Sequence, residues 1–213
     1  MVARSLVARS FVAALLLAVL SACGPSSGPG AAVTGVRSSD DDGYLGVKLD
    51  QPYVVPPLTL RDTSGRSFEL ARQPRRTVVF FGYTHCPDLC QTVMSTIASA
   101  WARLSVEDRA RLQMAFVTTD PARDSGAVLR RYLDRFNPRF TGLTGSLSQI
   151  DALGRPMAVY VKKGRQLPSG GYEVDHGTQV ITVRHARGDL LWTAATSPAD
   201  IAADLHKILK ADA

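Results

Sequence analysis

Cysteine is scarce in this chain, with three residues in 213, and only four histidines accompany them. An odd cysteine count means that at least one thiol is not paired within the chain. Lysine is scarcer than arginine, five against 20, and the arginines are scattered instead of gathered into a tract. That scatter argues against nucleic acid as a partner. The longest strongly apolar run, Phe11 to Leu20, falls short of the about 20 residues of an ordinary membrane span. No internal repeat is visible. The length allows one compact domain with an appendage and excludes a large multidomain machine. With 45% hydrophobic and 21% charged residues, most of the chain can bury a core, so it is neither disordered nor collagenous.

The N-terminus accounts for one of the three cysteines. Arg4 and Arg9 precede FVAALLLAVL (Phe11 to Leu20), a basic segment and a short apolar segment that together read as an export signal. The small residues in Leu20-Ser21-Ala22-Cys23 resemble the lipobox of bacterial lipoproteins, in which cleavage leaves the cysteine as a lipid-bearing first residue. Residues 1–22 are therefore expected to be a lipoprotein signal peptide. Cys23 becomes the diacylglycerol anchor, holding the protein on the extracytoplasmic face of the cell membrane. A cleaved signal followed by a stray cysteine is the plainer alternative. Removal of the signal takes Arg4 and Arg9 with it, so part of the +6 formal charge belongs to targeting. After Cys23 the chain reads GPSSGPGAAVTGVRSSDDDG, and residues 23–52 read as a flexible tether, leaving 53–213 as the domain.

Within that domain, Leu58 to Leu60 and Ser67 to Leu70 flank the turn-forming Asp62-Thr63-Ser64-Gly65, which predicts an N-terminal hairpin. Thr77 to Phe81 is apolar on both faces, as a central strand in a covered sheet would be. Leu89, Val93, Ile97, Trp101 and Leu104 recur at helical spacing from near Pro87. A strand at Gln113 to Thr118 and a helix at Ser125 to Phe136 follow. Short strands at Phe140 to Leu143 and Ala158 to Val161 surround a brief helix near Gln149. Strands at Thr178 to Val183 and Leu190 to Thr193 precede a final helix from Ser197 to Lys210. The succession predicts a three-layer α/β domain around a central mixed sheet.

The chemistry concentrates where the central strand meets the first helix, in Phe81-Gly82-Tyr83-Thr84-His85-Cys86-Pro87-Asp88-Leu89-Cys90. Ligands collect at the carboxyl ends of strands in such sheets, and helix N-termini favour thiolates. Residues four apart on a helix place their β-carbons about 5–6 Å apart, whereas a disulfide wants about 3.5–4.5 Å. Two metal–sulfur bonds of about 2.3 Å span a sulfur–sulfur gap of up to about 4.6 Å. The spacing leans towards metal without excluding a disulfide, either structural or as a catalytic dithiol. Thioredoxin-type redox proteins use CxxC, and here the interval is one residue longer. His176 lies in Glu173-Val174-Asp175-His176-Gly177, on an expected loop before the late strand. Two thiolates and one imidazole form a soft trigonal set that suits Cu(I) and takes Cu(II) with a further ligand. His85 is a candidate fourth ligand or outer neighbour, although a residue in that position more often points away. His185 and His206 read as surface residues. Asp120 either tunes the thiolates or caps a turn, and Asp124 reads as a helix cap. Phe81 and Tyr83 read as core.

GYTHCPDLC followed by Asp175-His176 resembles the Sco/SenC family of copper chaperones. The same resemblance extends to Thr119-Asp120-Pro121-Ala122-Arg123-Asp124 and Phe140-Thr141-Gly142-Leu143-Thr144-Gly145, in order between about Leu58 and Leu209. It implies a thioredoxin-like fold and delivery of copper to the CuA site of cytochrome c oxidase, with Cys86, Cys90 and His176 as the ligands. The implied partners are the oxidase subunit carrying that site, the membrane, and a thioredoxin-like reductant. Members commonly have proline where Gln91 stands and serine where Gly177 stands, and many are anchored by a transmembrane helix; none of these departures removes a ligand. A thiol–disulfide reductase acting on the oxidase's copper-site cysteines is the alternative, and a thiol peroxidase a more distant one.

Overall fold

The computed structural model describes residues 43–87, 89–166 and 172–212. The expected signal and Cys23 lie outside them. No helix among the described residues is long and apolar enough to cross a membrane.

Strand β4 (Arg76–Gly82) is buried along its whole length, as its unbroken apolar run predicts. It pairs in parallel with β5 (Leu112–Thr118), and β5 in parallel with β6 (Thr141–Thr144). On its other side β4 runs antiparallel to β9 (Val180–Arg184), which is followed by β10 (Arg187–Trp192) and the edge strand β1 (Val47–Val54). The expected hairpin, β2 (Thr59–Asp62) with β3 (Ser67–Glu69), joins the far edge through β2 and β6. The sheet order is thus β1-β10-β9-β4-β5-β6-β2-β3.

Alternation along β4 divides the core into two layers. Val78 and Phe80 face one cluster, built with α1 (Leu89–Arg103), α3 (Gly126–Asp134) and α5 (Pro198–Ala211). Val79 and Phe81 face the other, with Ile150 and Leu153 of α4 (Leu147–Gly154), Met157 and Leu49. Each fully buried Phe or Leu contributes about 1.5–3 kcal/mol, so a strand committed to both layers anchors the fold.

The structure departs from the sequence expectations at several places. Residues 47–52, expected as tether, belong to β1. Only Leu49 of that strand is buried, and its pairing with β10 is interrupted between Lys48 and Tyr53, around Pro52. An edge strand tolerates such a proline, and its mostly exposed pattern looks like linker. Ala158 is not in a strand: it takes a left-handed turn at φ 57°. Strand β7 (Val161–Gln166) begins beyond it and pairs with β8 (Tyr172–His176) in a separate ribbon. His176 accordingly ends a strand instead of sitting on a loop. A short helix, α2 (Val106–Arg111), is capped by Ser105 and has no counterpart in the expectations. Ser125, not Asp124, caps α3.

Candidate metal centre

At the carboxyl end of β4 the Gly82 carbonyl accepts from the Thr119 N–H at 2.7 Å, which fixes the start of the next loop. The Cys86 N–H donates to the Tyr83 carbonyl at 3.3 Å, closing a turn that places Cys86 just before α1. Cys90 is the second residue of that helix. Its N–H, one of the donors that a helix start leaves unpaired, points at Cys86 Sγ at 3.4 Å. The two cysteines therefore do not share a helix face as their spacing suggested. Cys86 folds back over the helix end, which removes the geometric objection to a disulfide between them. Neither is in a disulfide among the described residues; Cys86 is half-buried and Cys90 buried.

The electrostatics also differ from expectation. The neighbouring Cys86 sulfur, hydrogen-bonded to Cys90, and the burial of Cys90 push its thiol far above the ordinary value, with Asp124 adding to the effect. The helix end does not yield a standing Cys90 thiolate, so a metal bound here must displace the proton.

His176 comes in from β8. Its Nδ1 lies 2.8 Å from the Gly177 carbonyl, which only a protonated Nδ1 can satisfy. That tautomer leaves Nε2 as a lone pair, 3.7 Å from Cys90 Sγ. Phe80 and Tyr83 meet the ring edge-to-face, with centroids at 6.4 and 5.9 Å, and fix its plane. The Tyr83 hydroxyl meets the backbone of Val174 and the Cys86 sulfur, so this core residue also borders the site; burial raises its pKa. Phe81 lies in the opposite layer. Two sulfurs and an unprotonated imidazole nitrogen form a donor set that fits a soft, low-coordinate metal. Among the described residues no three Cys, His, Asp or Glu side chains already stand together at metal-holding distance. Cys90 and His176 are in place, and Cys86 is engaged with the helix end.

Asp124 does more than its sequence position suggested. Fully buried, it accepts from the Thr84 N–H (3.0 Å), the Thr84 hydroxyl (2.6 Å) and the Thr118 hydroxyl (2.7 Å), tying the cysteine loop to the end of β5. The TDPARD segment contained this residue but no signal of its role. His85 turns outward: its Nδ1 lies 3.0 Å from Thr84 Oγ1 and 3.7 Å from Asp124, and its side chain is 54% exposed. Asp120 is buried beneath the loop and pairs with Arg123, whose guanidinium lies 5.8 Å over the Tyr83 ring. It closes a turn, its carbonyl accepting from Arg123 and Asp124. His185 is exposed in the turn between β9 and β10. His206 is half-exposed but has an acidic partner that the sequence did not suggest, Asp108 at 2.8 Å.

A family model described as SCO1/SenC matches residues 47–210. Over 122 residues the chain is 34% identical to Protein SCO2, mitochondrial, of Saccharomyces cerevisiae, a match covering 56% of this chain and 40% of that protein. The chain spans about two fifths of the length of the mitochondrial relatives it matches. Among solved structures, apo Sco1 from Thermus thermophilus aligns with a TM-score of 0.69 and 31% identity, covering 78% of this chain and 96% of that one. ScoI of Bradyrhizobium japonicum with copper bound aligns at 0.65 with 29% identity, covering 72% and 98%.

Proposed function

The chain belongs to the SCO1/SenC family and has its thioredoxin-like fold, and on that footing we propose that it is a copper metallochaperone. Cys86, Cys90 and His176 hold the cargo ion. The observation that carries this reading is the His176 ring: its Nδ1 is committed to the Gly177 carbonyl and its Nε2 lone pair faces Cys90 Sγ. An Nε2 that accepts from the Cys90 thiol stands where it can take up a metal as the thiol proton leaves. Copper, as Cu(I) or Cu(II), takes up the Cys90 sulfur and Nε2 as the thiol proton leaves, and Cys86 turns from the helix end to complete the set. A three-ligand site leaves the ion open to an incoming thiolate, so transfer proceeds by ligand exchange. The recipient is the CuA-bearing subunit of cytochrome c oxidase. Cys23 tethers the domain to the extracytoplasmic face of the cell membrane, and a thioredoxin-like reductant keeps the pair reduced.

A second reading is favoured by the close approach of Cys86 Sγ to the Cys90 N–H at 3.4 Å. The Cys86 sulfur is also hydrogen-bonded to Cys90, and a cysteine folded back on its partner in this way suits closure of a disulfide by a reductase acting on the oxidase's copper-site cysteines. That activity needs both thiols and not the imidazole. Oxidase assembly in cells whose only copy carries His176→Ala separates the two. Metal delivery predicts loss of CuA-dependent activity comparable to Cys90→Ala, whereas full activity with His176→Ala would leave only the reductase.

A further inference from the structure

The opposite end of the sheet carries a cavity that the metal site does not use. It opens beside the entries of β4, β5 and β6, has a volume of about 430 Å³, and is lined by Arg75, Arg109 and Arg139 together with Trp101, Val106 and Leu112. No carboxylate lines it. Seven of the arginines elsewhere, Arg66, Arg72, Arg76, Arg123, Arg130, Arg155 and Arg184, pair with Asp or Glu. These three do not, among the described residues. Asp108, next to Arg109 in the chain, is turned to His206.

Two of the three guanidiniums are held by neutral groups. Arg75 donates to the Leu112 carbonyl at 3.3 Å and to Gln113 Oε1 at 3.1 Å. Gln113 is in turn fixed by donating to Gln73 Oε1 and the Thr77 hydroxyl, at 3.0 and 2.8 Å. Arg109 donates to the Trp101 carbonyl at 3.5 Å. Neutral acceptors orient a guanidinium without cancelling its charge, so three like charges border one hollow whose remaining wall is in part apolar. An oxyanion relieves their repulsion and takes up the guanidinium donors that remain.

We propose that this cavity is a binding site for a phosphate-type oxyanion on an organic body, the charged group held by Arg75, Arg109 and Arg139 and the body resting on Trp101, Val106 and Leu112. The hollow is much larger than a bare phosphate, which is why a carrier is specified. A soluble organic phosphate and the headgroup of an anionic phospholipid share this chemistry. If the source is the bilayer, the domain sits with its base down and the cysteine pair facing away from the membrane. The site stands independently of copper.

Trp101 lines the cavity, so intrinsic fluorescence of the full-length chain reports occupancy. At fixed ionic strength the chain is titrated with phenyl phosphate, and separately with phosphatidylglycerol and phosphatidylcholine vesicles. Saturable binding of phenyl phosphate, weakened about tenfold by Arg75→Gln or Arg109→Gln, supports the site with a soluble source. Arginine-dependent preference for phosphatidylglycerol over phosphatidylcholine, with no phenyl phosphate binding, supports it with the headgroup as source. Arg139→Gln removes a side chain that makes no hydrogen bond or ion pair among the described residues, so it tests the site even where Arg75→Gln disturbs Gln113. No binding to either probe overturns the proposal, and so does binding that all three variants leave unchanged.

Discussion

Asp124 is a carboxylate with no exposure and three donors, two from Thr84 and one from Thr118. Removing it strands the Thr84 N–H and the Thr118 hydroxyl without an acceptor in the interior. Asp124→Ala should cost about 2–4 kcal/mol in urea unfolding, and the freed cysteine loop should lower copper affinity as well. A change under about 0.5 kcal/mol would show that the carboxylate does not tie the loop. Gly82 works by having no side chain. A β-carbon there would lie 3.2 Å from Cys90 Sγ and 3.0 and 3.1 Å from the rings of Phe80 and Phe116. Two of those neighbours are fully buried aromatics that cannot yield. Gly82→Ala should therefore cost about 1–3 kcal/mol and move Cys90 away from His176, with weaker copper binding in titration even at temperatures where the protein remains folded.

At the level of elements, β4 is clamped at both ends, and its base is held by charge. Arg76, 3% exposed, donates to Asp189 (2.6 Å), to Thr182 (3.1 Å) and to both oxygens of Asp212 (2.9 and 3.1 Å), joining β4 to β9, β10 and the end of α5. Arg76→Ala leaves Asp189 without its cation and Asp212 with Arg184 alone, and should cost about 3–5 kcal/mol in chemical unfolding, with Arg76→Met less damaging because it keeps the packing. Burial pushes the Asp212 carboxyl up, but Arg76 and Arg184 more than offset this and leave it below the ordinary carboxylate value. A depressed carboxylate contributes stability that is complete above its unfolded value, about 3.9, and lost as pH falls through the folded value. The acid limb of the stability curve below about pH 4 should be shallower in Asp212→Asn than in the parent. Equal slopes would remove Asp212 from the account. The sequence disclosed the elements whose apolar period was strong, β4, α1 and α5, because burial on a face leaves a mark. It hid β1, which carries a proline, buries only Leu49 and pairs with a strand far along the chain, and β7 and β8, whose residues are mostly polar. It also hid the Arg76 cluster, since a buried charge reads as a surface one until its acids are seen.

Across the whole molecule the sheet separates two kinds of chemistry: sulfur and imidazole at the carboxyl end of β4, guanidinium at its base. The sequence put two cysteines after an expected strand and one histidine on an expected loop, and the structure brings Cys90 and His176 together at 3.7 Å. Their supports were not legible. That Cys86 folds back on the helix end and that Gly177 sets the His176 tautomer are local geometries that residue spacing does not disclose, and that Asp124 serves the loop and not α3 depends on a contact between distant segments. The central claim is that these three side chains together hold copper. It is tested most directly by competitive Cu(I) titration of the reduced full-length chain. The account predicts one copper per chain, with affinity reduced at least about 100-fold by Cys86→Ala, Cys90→Ala or His176→Ala. Stoichiometric binding of parental affinity that survives the loss of His176 and both cysteines would contradict it.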